Sequence, residues 1–208
     1  MIRQILSGYF PWLSGEQLDK LFALEGIYTS WNSTINVISR KDMQNLMIHH
    51  VLHSLAIARI FRFNDRSMIL DVGTGGGFPG IPLAIAFPGS EFTLLDSIGK
   101  KIKVVTAVAK ELGLTNVIPV NRRVEEEKGL YDYVTGRAVT SFTSFIKLTS
   151  KNIKPGSTGN NDKGIICLKG GDLREELGSY QHIVKIWNIG EFFKEPFFET
   201  KRIVFLPF

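Results

Sequence analysis

The stretch ILDVGTGGGFPGIPLAIAFP, residues 69–88, constrains the fold of this chain more than any other. An apolar run ends at the acid Asp71, five glycines follow within ten positions, and an apolar helix-like run comes next. Glycine has no Cβ atom, so such a cluster indicates a backbone that passes where a side chain would clash. A strand that ends in glycines and leads into a helix N-terminus is typical of sites for nucleotide-like ligands.

Apolar segments of strand length alternate with helix-like segments from residue 68 to the end of the chain. The predicted strands are MILDVG, EFTLLD, NVIPV, YDYVTG, GIICLK, VKIWNIG and RIVFLPF. This alternation predicts an α/β fold, in which a mostly parallel sheet carries helices on both faces. The last two strands, which an aromatic-rich connection separates, predict an antiparallel edge hairpin that completes a seven-stranded sheet.

The first 66 residues lack this alternation and predict a small helical N-terminal extension, so that the ligand-binding domain covers residues 67–208. Ser14 and Gln17 have the spacing of a capping box, which predicts a helix start there. A second helix is predicted from Asp42 towards Phe61, and the polar segment WNSTINVISRKD between the two fits neither period. The stretch KPGSTGNNDKG, residues 154–164, predicts a long polar loop.

Composition limits the class of protein. The 208 residues carry a formal net charge of +5 and a sequence pI near 9.3, which is compatible with a polyanionic partner. The single cysteine, Cys167, excludes an internal disulfide and is expected to be a buried hydrophobic residue. No apolar run reaches the roughly 18 residues of a membrane span, and the N-terminus lacks a signal-peptide pattern. We therefore expect a cytoplasmic protein without a membrane partner.

Three nucleotide-binding patterns compete for the glycine cluster. A phosphate-binding P-loop needs Lys and then Ser or Thr after its last glycine, and no glycine of the cluster is followed by them. A dinucleotide fingerprint fits only with Pro79 inside it and leaves the opening acid without a role. The pattern of S-adenosylmethionine sites in Rossmann-like methyltransferases fits best, with its positions at Asp71, Gly73, Gly75 and Gly77.

The next strand ends add support to the S-adenosylmethionine interpretation. Asp96 ends the second strand nineteen positions after Gly77, where an acid can accept hydrogen bonds from both ribose hydroxyls. Dinucleotide enzymes use an acid similarly, and Asp96 could also cap the following helix, so this residue does not decide between the ligands. Methyltransferases of this class contact the adenine after the third strand, where this chain has Arg122, Arg123, Val124 and Glu125.

The runs DVGTGGGFPGIPLAI, TLLDSIGKKIKVV, RVEE, GRAV and LKG, with WNSTIN and HHVLHS before them, resemble a known family. They are similar to the bacterial small-subunit ribosomal RNA guanine-N7 methyltransferases, the glucose-inhibited division protein B family, over roughly residues 28–171. The resemblance implies a Rossmann-like S-adenosylmethionine-dependent methyltransferase fold and methyl transfer to N7 of a guanine in 16S ribosomal RNA. It implies a cofactor site lined by Gly73, Phe78, Val124, Glu125 and Arg137, with Asp96 on the ribose. His53 departs from the family pattern, which has an acid at this position.

The chemistry of guanine N7 agrees with this sequence. N7 carries a lone pair and no proton, so its methylation needs in-line placement and no general base. YDYVTGRA stands where an exocyclic-amine methyltransferase has an Asp-Pro-Pro-Tyr-like motif, and Cys167 lacks the preceding proline of a cytosine-C5 nucleophile. Arg137, at the carboxyl end of the fourth strand, is the candidate catalytic residue, with a surface salt bridge as the alternative. Arginine binding to O6 and N7 together would block the reacting atom.

Basic residues near Asp96 predict how RNA binds. Phosphate contacts are expected from cations after the second and third strands, namely Lys100, Lys101, Lys103, Arg122 and Arg123. The expected partner is ribosomal RNA or the small ribosomal subunit, bound by a monomer. His49 and His53 have the i, i+4 spacing of metal ligands, but no third ligand follows, so we expect no metal and interpret them, with His50, as surface or capping residues.

Three other functions remain open. A nicotinamide-dependent oxidoreductase would be protected from thermal unfolding by NAD and not by S-adenosylmethionine. A non-catalytic RNA-binding assembly factor would bind RNA without methyl transfer. A small-molecule methyltransferase would use the same cofactor, and the basic clusters argue against it.

Overall fold

A computed structural model describes residues 2–156 and 163–208 of the chain. Its strands are β1 Met68–Val72, β2 Glu91–Asp96, β3 Val117–Asn121, β4 Tyr133–Arg137, β5 Gly164–Gly170, β6 Lys185–Asn188 and β7 Lys201–Pro207. They form one sheet with the order β3-β2-β1-β4-β5-β7-β6, in which β1 to β5 pair in parallel. β7 pairs antiparallel with β5 and β6. The predicted sheet and its C-terminal hairpin are confirmed, whereas residues 157–162 of the predicted loop lie outside the described residues.

The helices include α1 Ile2–Tyr9, α2 Gly15–Thr34, α3 His53–Leu55, α4 Ile57–Ile60, α5 Gly80–Ala86, α6 Gly99–Glu111, α7 Phe142–Thr149 and α8 Arg174–Leu177. α2 begins at the predicted capping box, where the Ser14 side chain accepts from the Gln17 backbone at 3.2 Å and the Gln17 side chain accepts from the Ser14 backbone at 2.8 Å. The segment that begins at residue 31 and fits neither period is helical over its first four residues. Trp31 packs against the core, and its carbonyl accepts from Ile35 N–H at 2.8 Å, which continues α2 to Thr34.

Residues 43–60 form four consecutive helical segments instead of the single predicted helix. A short 3₁₀ turn at Met43–Asn45 leads into a π-helix at Leu46–Leu52, and α3 and α4 follow. π-Helical turns are rare in proteins and are frequent at functional sites. This π-helix carries two of the three clustered histidines, His49 and His50.

Two apolar clusters cover the two faces of the sheet. One face packs against α5, α6 and the N-terminal helices, and the other packs against α7 and α8. The Gln17 amide on α2 donates to the carbonyls of Ile85 and Ala86 at 2.9 and 3.0 Å, which caps the C-terminus of α5. The proposed extension, residues 1–66, therefore shares one core with the sheet. No helix in the two described ranges is long and apolar enough to cross a membrane.

Candidate active site

Asp71, near the carboxyl end of β1, organises the glycine loop. Its side chain is fully buried, and Oδ2 accepts from Thr74 Oγ1 at 2.6 Å and from Gly80 N–H at 3.0 Å. Oδ1 accepts from Thr135 Oγ1 on β4 at 3.1 Å. Burial raises the pKa of this carboxyl to about 6, although these hydrogen bonds act to lower it. Asp71 therefore ties both ends of the glycine loop to the sheet.

Gly75 is the loop position with open space in front of its backbone. Its φ is +60°, and a Cβ atom added there would meet nothing closer than the Gly73 carbonyl oxygen at 4.0 Å. At Gly73, with φ +64°, a Cβ atom would lie 2.8 Å from Cγ2 of Val139. Left-handed backbone next to open space is the arrangement that lets a ligand contact the main chain directly.

Asp96, at the carboxyl end of β2, faces the glycine loop. Its Oδ2 accepts from Gly75 N–H at 3.0 Å, and its Oδ1 accepts from Ile98 N–H at 2.9 Å, just before α6. The residue is buried, with 5% of its surface exposed. Each carboxylate oxygen has two acceptor sites, so Asp96 keeps capacity for further hydrogen bonds while it serves the start of α6.

A cavity of about 300 Å³, which we call the cofactor cavity, opens beside Asp96. Its lining includes the carboxyl ends of β1, β2 and β3 and the segment after β4. Among the predicted site residues, the structure brings together here Gly73, Asp96, Arg122, Arg123, Val124 and Glu125. Gly75 joins this group through its hydrogen bond to Asp96. These residues come from separate parts of the chain, and the parallel sheet places them at one edge.

Gly77 and Phe78 contact the N-terminal helices behind the loop. A Cβ atom at Gly77 would lie 3.1 Å from the Tyr28 hydroxyl oxygen, and the Phe78 ring lies 4.9 Å from the Tyr28 ring between centroids. The Tyr28 hydroxyl donates to the Gly76 carbonyl. Burial raises the pKa of this hydroxyl, so it stays protonated as a donor. α2 thus supports the glycine loop, and direct cofactor contact by Gly77 and Phe78 stays a prediction.

Arg137, the last residue of β4, binds the π-helix. Its Nη1 donates to the His49 carbonyl at 3.2 Å, and its Nη2 donates to His50 Nδ1 at 2.9 Å. Arginine has only donors, so Nδ1 of His50 must be the acceptor and its proton must be on Nε2. That Nε2 lies 2.8 Å from Oδ2 of Asp42, and His49 Nδ1 lies 2.6 Å from Oδ1. The partners of Arg137 are a carbonyl and an imidazole, in place of the carboxylate of the salt-bridge alternative.

The electrostatics of this chain are consistent with the same proton assignment. Burial, helped by the charge of Arg137, lowers the pKa of His50 to about 4 against the opposing effect of Asp42. Burial also lowers the pKa of Arg137 to about 10, which leaves it charged at neutral pH. Burial acts to raise the pKa of Asp42, but hydrogen bonds from His50 and His49 hold it below its usual value. A neutral His50 therefore links a cation to an anion.

A second cavity, of about 380 Å³, lies on the other side of Arg137, and we call it the histidine cavity. Its lining residues are Asp42, His49, His50, His53, Arg137, Ala138, Leu168, Lys169, Gly170, Phe197 and Lys201. Residues 137–140 separate it from the cofactor cavity, since Arg137 and Ala138 line one and Val139 and Thr140 line the other. Ala138 has a φ of +54°, an uncommon conformation for a residue with a Cβ atom and one that is concentrated at functional sites.

The interpretation of His53 as a surface or capping residue was wrong. Its side chain is 6% exposed, and its ring meets Phe197 and Phe198 edge-on at 5.4 and 5.9 Å between centroids. Both phenylalanines lie far along the chain, so no local pattern could report this burial. Cys167 is buried as predicted, and burial raises the pKa of its thiol to about 12.

The five predicted RNA-binding cations differ in their surroundings. Lys101 Nζ lies 3.7 Å from Asp96 Oδ2, and Arg122 Nη1 lies 2.9 Å from Oε2 of the buried Glu127. Three are solvent-exposed without an ion-pair partner in the part of the chain that the structure describes, namely Lys100, Lys103 and Arg123. RNA binding by these residues stays a prediction.

Several site residues escaped the sequence analysis, namely Tyr28, Asp42, Lys169, Phe197 and Lys201. Each reaches the site from an element distant in sequence from the glycine loop. Asp42 was predicted as a helix start, and its two histidine contacts at 2.6 and 2.8 Å give it a second role. The adjacent histidines were the one local signal for the second cavity.

Several solved structures that share this fold are named as methyltransferases. The fibrillarin/Nop5p complex aligns with a TM-score of 0.52 at 13% identity, over 73% of this chain and 78% of that chain. An rRNA methylase from Streptococcus thermophilus aligns with a TM-score of 0.51 at 10% identity, over 75% of this chain and 94% of that chain. At such identities the likeness establishes the fold, which is Rossmann-like and of the methyltransferase type.

Sequence relatives are much closer. The family described as rRNA small subunit methyltransferase G, GidB, matches residues 17–191. "Ribosomal RNA small subunit methyltransferase G" of Bacteroides fragilis is 51% identical over 203 residues, 98% of each chain. The protein of the same name from Christiangramia forsetii is 49% identical over 207 residues, 100% of this chain and 98% of its own. With this identity over its full length, the chain belongs to the GidB family of rRNA small subunit methyltransferase G.

Proposed function

We propose that this chain transfers a methyl group from S-adenosylmethionine to N7 of a guanine in 16S ribosomal RNA. Membership of the GidB family makes the chain a ribosomal RNA methyltransferase with S-adenosylmethionine as its cofactor. The finer statement, that N7 of guanine is the acceptor atom, is supported by the chemistry of the site.

The observation that carries this choice is the weak proton affinity of two histidines that line the histidine cavity, His50 and His53. His50 is neutral, with both ring nitrogens hydrogen-bonded. Burial and the charges of Arg137 and Lys201 hold the pKa of His53 well below its usual value. A general base works best with a pKa near the working pH, and neither imidazole meets that condition. Such a cavity suits N7, which is methylated without loss of a proton.

The residues present fit the cofactor. At Gly75 a Cβ atom would face open space, so a ligand can reach the main chain there. We assign the ribose hydroxyls to Asp96 and the adenine to Val124 and Glu125, which line the same cavity. Asp71 is buried and holds the loop in shape, so its contribution is indirect.

When bound, S-adenosylmethionine supplies a methyl group on a positively charged sulfur. That methyl group would pass to the lone pair of guanine N7, with the carbon–sulfur bonding pair left on sulfur and the positive charge on the base. No proton is transferred, so the protein contributes placement of N7 in line with the breaking bond. We assign this positioning to Arg137, which lines the histidine cavity at the start of the segment 137–140 that separates the two cavities.

The N-terminal extension supports the active site from one side. The extension, residues 1–66, supports both the glycine loop and Arg137, through Tyr28 and His50 respectively. We propose the cytoplasm as the location, because ribosomal RNA is the substrate, and a monomer that acts on the small ribosomal subunit.

The test is transfer of labelled methyl groups from S-adenosylmethionine into unmethylated small ribosomal subunits and into free 16S RNA. The expected product is one 7-methylguanine per RNA, identified by mass spectrometry of nucleosides. Label on another atom would contradict the N7 assignment. RNA binding without any label would favour the non-catalytic assembly factor, and thermal protection by NAD instead of S-adenosylmethionine would favour the oxidoreductase.

A further inference from the structure

One buried nitrogen at the histidine cavity has no hydrogen-bond partner. Nε2 of His53 is covered from solvent, and no donor or acceptor within the described residues reaches it. Buried polar side-chain atoms in native proteins nearly always have a partner, so an exception calls for a physical explanation. His53 lines the same cavity as Arg137, the first residue of the segment 137–140 that separates this cavity from the cofactor cavity.

The unpartnered Nε2 is an acceptor with a lone pair. A neutral imidazole has one N–H and one acceptor nitrogen. The His49 backbone near the His53 ring acts to raise its pKa, which fits an N–H on Nδ1 and leaves the lone pair on the unpartnered Nε2. Burial and the nearby Arg137 and Lys201 keep the ring neutral by lowering its pKa. This nitrogen can accept a hydrogen bond although it binds a proton poorly.

The walls around this acceptor suit a flat heterocycle. The rings of His49 and Phe197 stack with their centroids 3.8 Å apart and their planes at 16°. Phe197 meets the His53 ring edge-on, and Lys201 Nζ lies 4.7 Å from the Phe197 centroid. The volume of about 380 Å³ is within the range of small-molecule sites. Single-stranded RNA bases are commonly held by stacking on such aromatic side chains.

We propose that Nε2 of His53 accepts a hydrogen bond from N1–H or the N2 amino group of the target guanine and so selects guanine. This inference rests on the proposed function. When N7 points to the cofactor cavity, the N1 and N2 donors are on the far side of the base, away from the reacting atom. Adenine has an acceptor at N1 and no amino group at C2, so it leaves the acceptor of His53 unpaired.

The first test replaces His53. His53→Leu removes the acceptor and fills a buried apolar site, so kcat/KM for RNA should fall about five- to tenfold, the effect of one lost hydrogen bond. Affinity for S-adenosylmethionine should stay the same. The melting temperature should change little, because the variant removes a buried polar atom without a partner but also loses the interaction of the ring with the His49 backbone. His53→Gln, which keeps an acceptor, should recover part of the loss.

A matched control is His182→Leu, which alters an exposed histidine outside both cavities and should change none of these values. Full activity of His53→Leu would overturn the proposal. A drop in melting temperature that parallels the drop in kcat/KM would also overturn it, since that result describes a structural residue.

The second test changes the base. Small-subunit RNA is assembled by ligation so that purine riboside replaces the guanosine at the methylated position. Purine riboside keeps N7 and lacks both the N1–H and the N2 donors. The affinity of the protein for this RNA is compared with its affinity for the guanosine RNA. The wild-type protein should lose about five- to tenfold more affinity than His53→Leu does. Equal losses in both proteins would overturn the proposal. This experiment measures binding, so it tests the role of His53 alone. The N7 assignment is tested separately, by the identity of the methylated product.

Discussion

The two cavities on either side of residues 137–140 are built in different ways. The cofactor cavity is formed by strand ends and their following loops, and the backbone at Gly73 and Gly75 is its central feature. The histidine cavity is formed by side chains from residues 42–53, from the ends of β4 and β5, and from residues 197–201. A backbone site is encoded in a short motif, whereas a side-chain site exists only after distant segments have packed together.

The largest effect on function is expected for Gly75→Val, which should block the cofactor cavity. The branched side chain would enter the open space that Gly75 leaves, so we expect S-adenosylmethionine binding to be abolished in calorimetry. The variant should still fold, with a loss of about 1–2 kcal/mol in the free energy of unfolding, because an L-residue is strained in left-handed backbone.

Gly113→Val is the matched control for Gly75→Val. Gly113 has nearly the same backbone conformation, with φ +62°, and a Cβ atom there would also meet nothing within 4 Å, but it lies after α6, away from both cavities. It should lose similar stability and keep full cofactor affinity. Retained binding by Gly75→Val, or lost binding by Gly113→Val, would contradict the assignment of the cofactor to the glycine loop.

Arg137→Ala tests whether Arg137 positions the base for methyl transfer. If Arg137 positions the base, its loss should lower the methyl-transfer rate about hundredfold, as small misplacements of reacting groups do, and should change cofactor affinity much less. Single-turnover rates and calorimetry measure the two effects separately. Arg137→Lys should recover little, because an ammonium group lacks the planar fork that binds the His49 carbonyl and His50 together.

Arg59→Ala serves as the comparison for lost hydrogen bonding. Arg59 Nη1 donates to the Tyr9 carbonyl at 2.9 Å, outside both cavities, so its removal should leave the rate unchanged. Equal falls in cofactor affinity and rate for Arg137→Ala would place Arg137 with the cofactor instead of the base.

The same contrast explains how far the sequence could predict the structure. Strand ends such as Asp96 and loop positions such as Gly75 carry local signals, because few structural roles other than a ligand site require glycines and acidic residues at this fixed spacing. The parallel sheet followed from the alternation of strands and helices, whereas the order of its strands was not predicted. The burial of His53 depends on Phe197 and Phe198, and the neutral state of His50 depends on Arg137 and Asp42. Such long-range contacts have no signature within either segment.

His50→Gln tests whether the histidine is neutral in the folded protein. The pKa of His50 falls from 6.5 in the unfolded chain to about 4 in the folded protein. Its contribution to the free energy of unfolding is complete above pH 6.5 and is lost as the pH falls towards 4, because the unfolded chain binds the proton first. Glutamine can accept from Arg137 and donate to Asp42 without titrating. Between pH 7 and 5 the wild type should therefore lose about 1–2 kcal/mol more than the variant.

Chemical denaturation at the two pH values measures this difference. His182→Gln, at an exposed position, controls for the change of residue type. Equal losses of stability in wild type and His50→Gln would mean that His50 in the folded protein is protonated on both ring nitrogens. The hydrogen bonds from Arg137 through His50 to Asp42 would then need another assignment of protons.

The smallest effect is expected for the basic residues outside the cofactor cavity. Lys100 lies in the first turn of α6 and Lys103 at the start of the second, near a helix N-terminus that already carries partial positive charge, so an anion near them should be stabilised. Lys101 is best left unchanged, because its ammonium group lies 3.7 Å from Asp96 and its loss would affect the cofactor site. The variant Lys100→Ala/Lys103→Ala should weaken RNA binding several-fold and lower the slope of log affinity against log salt by about 1–2.

The salt slope decides which side of Arg137 the RNA backbone crosses. A base in the histidine cavity, with N7 towards the cofactor, leaves its phosphates free to pass over either the start of α6 or the exposed Arg40 and Lys41 beside Asp42. If the backbone crosses the cofactor cavity, the α6 variant lowers the slope and Arg40→Ala/Lys41→Ala does not, and Lys110→Ala in the last turn of α6 has no effect. The reverse pattern would assign the phosphates to the histidine cavity and leave the α6 lysines as solvated surface. In both cases cofactor affinity should stay constant, because phosphate contacts position the RNA without touching the cofactor.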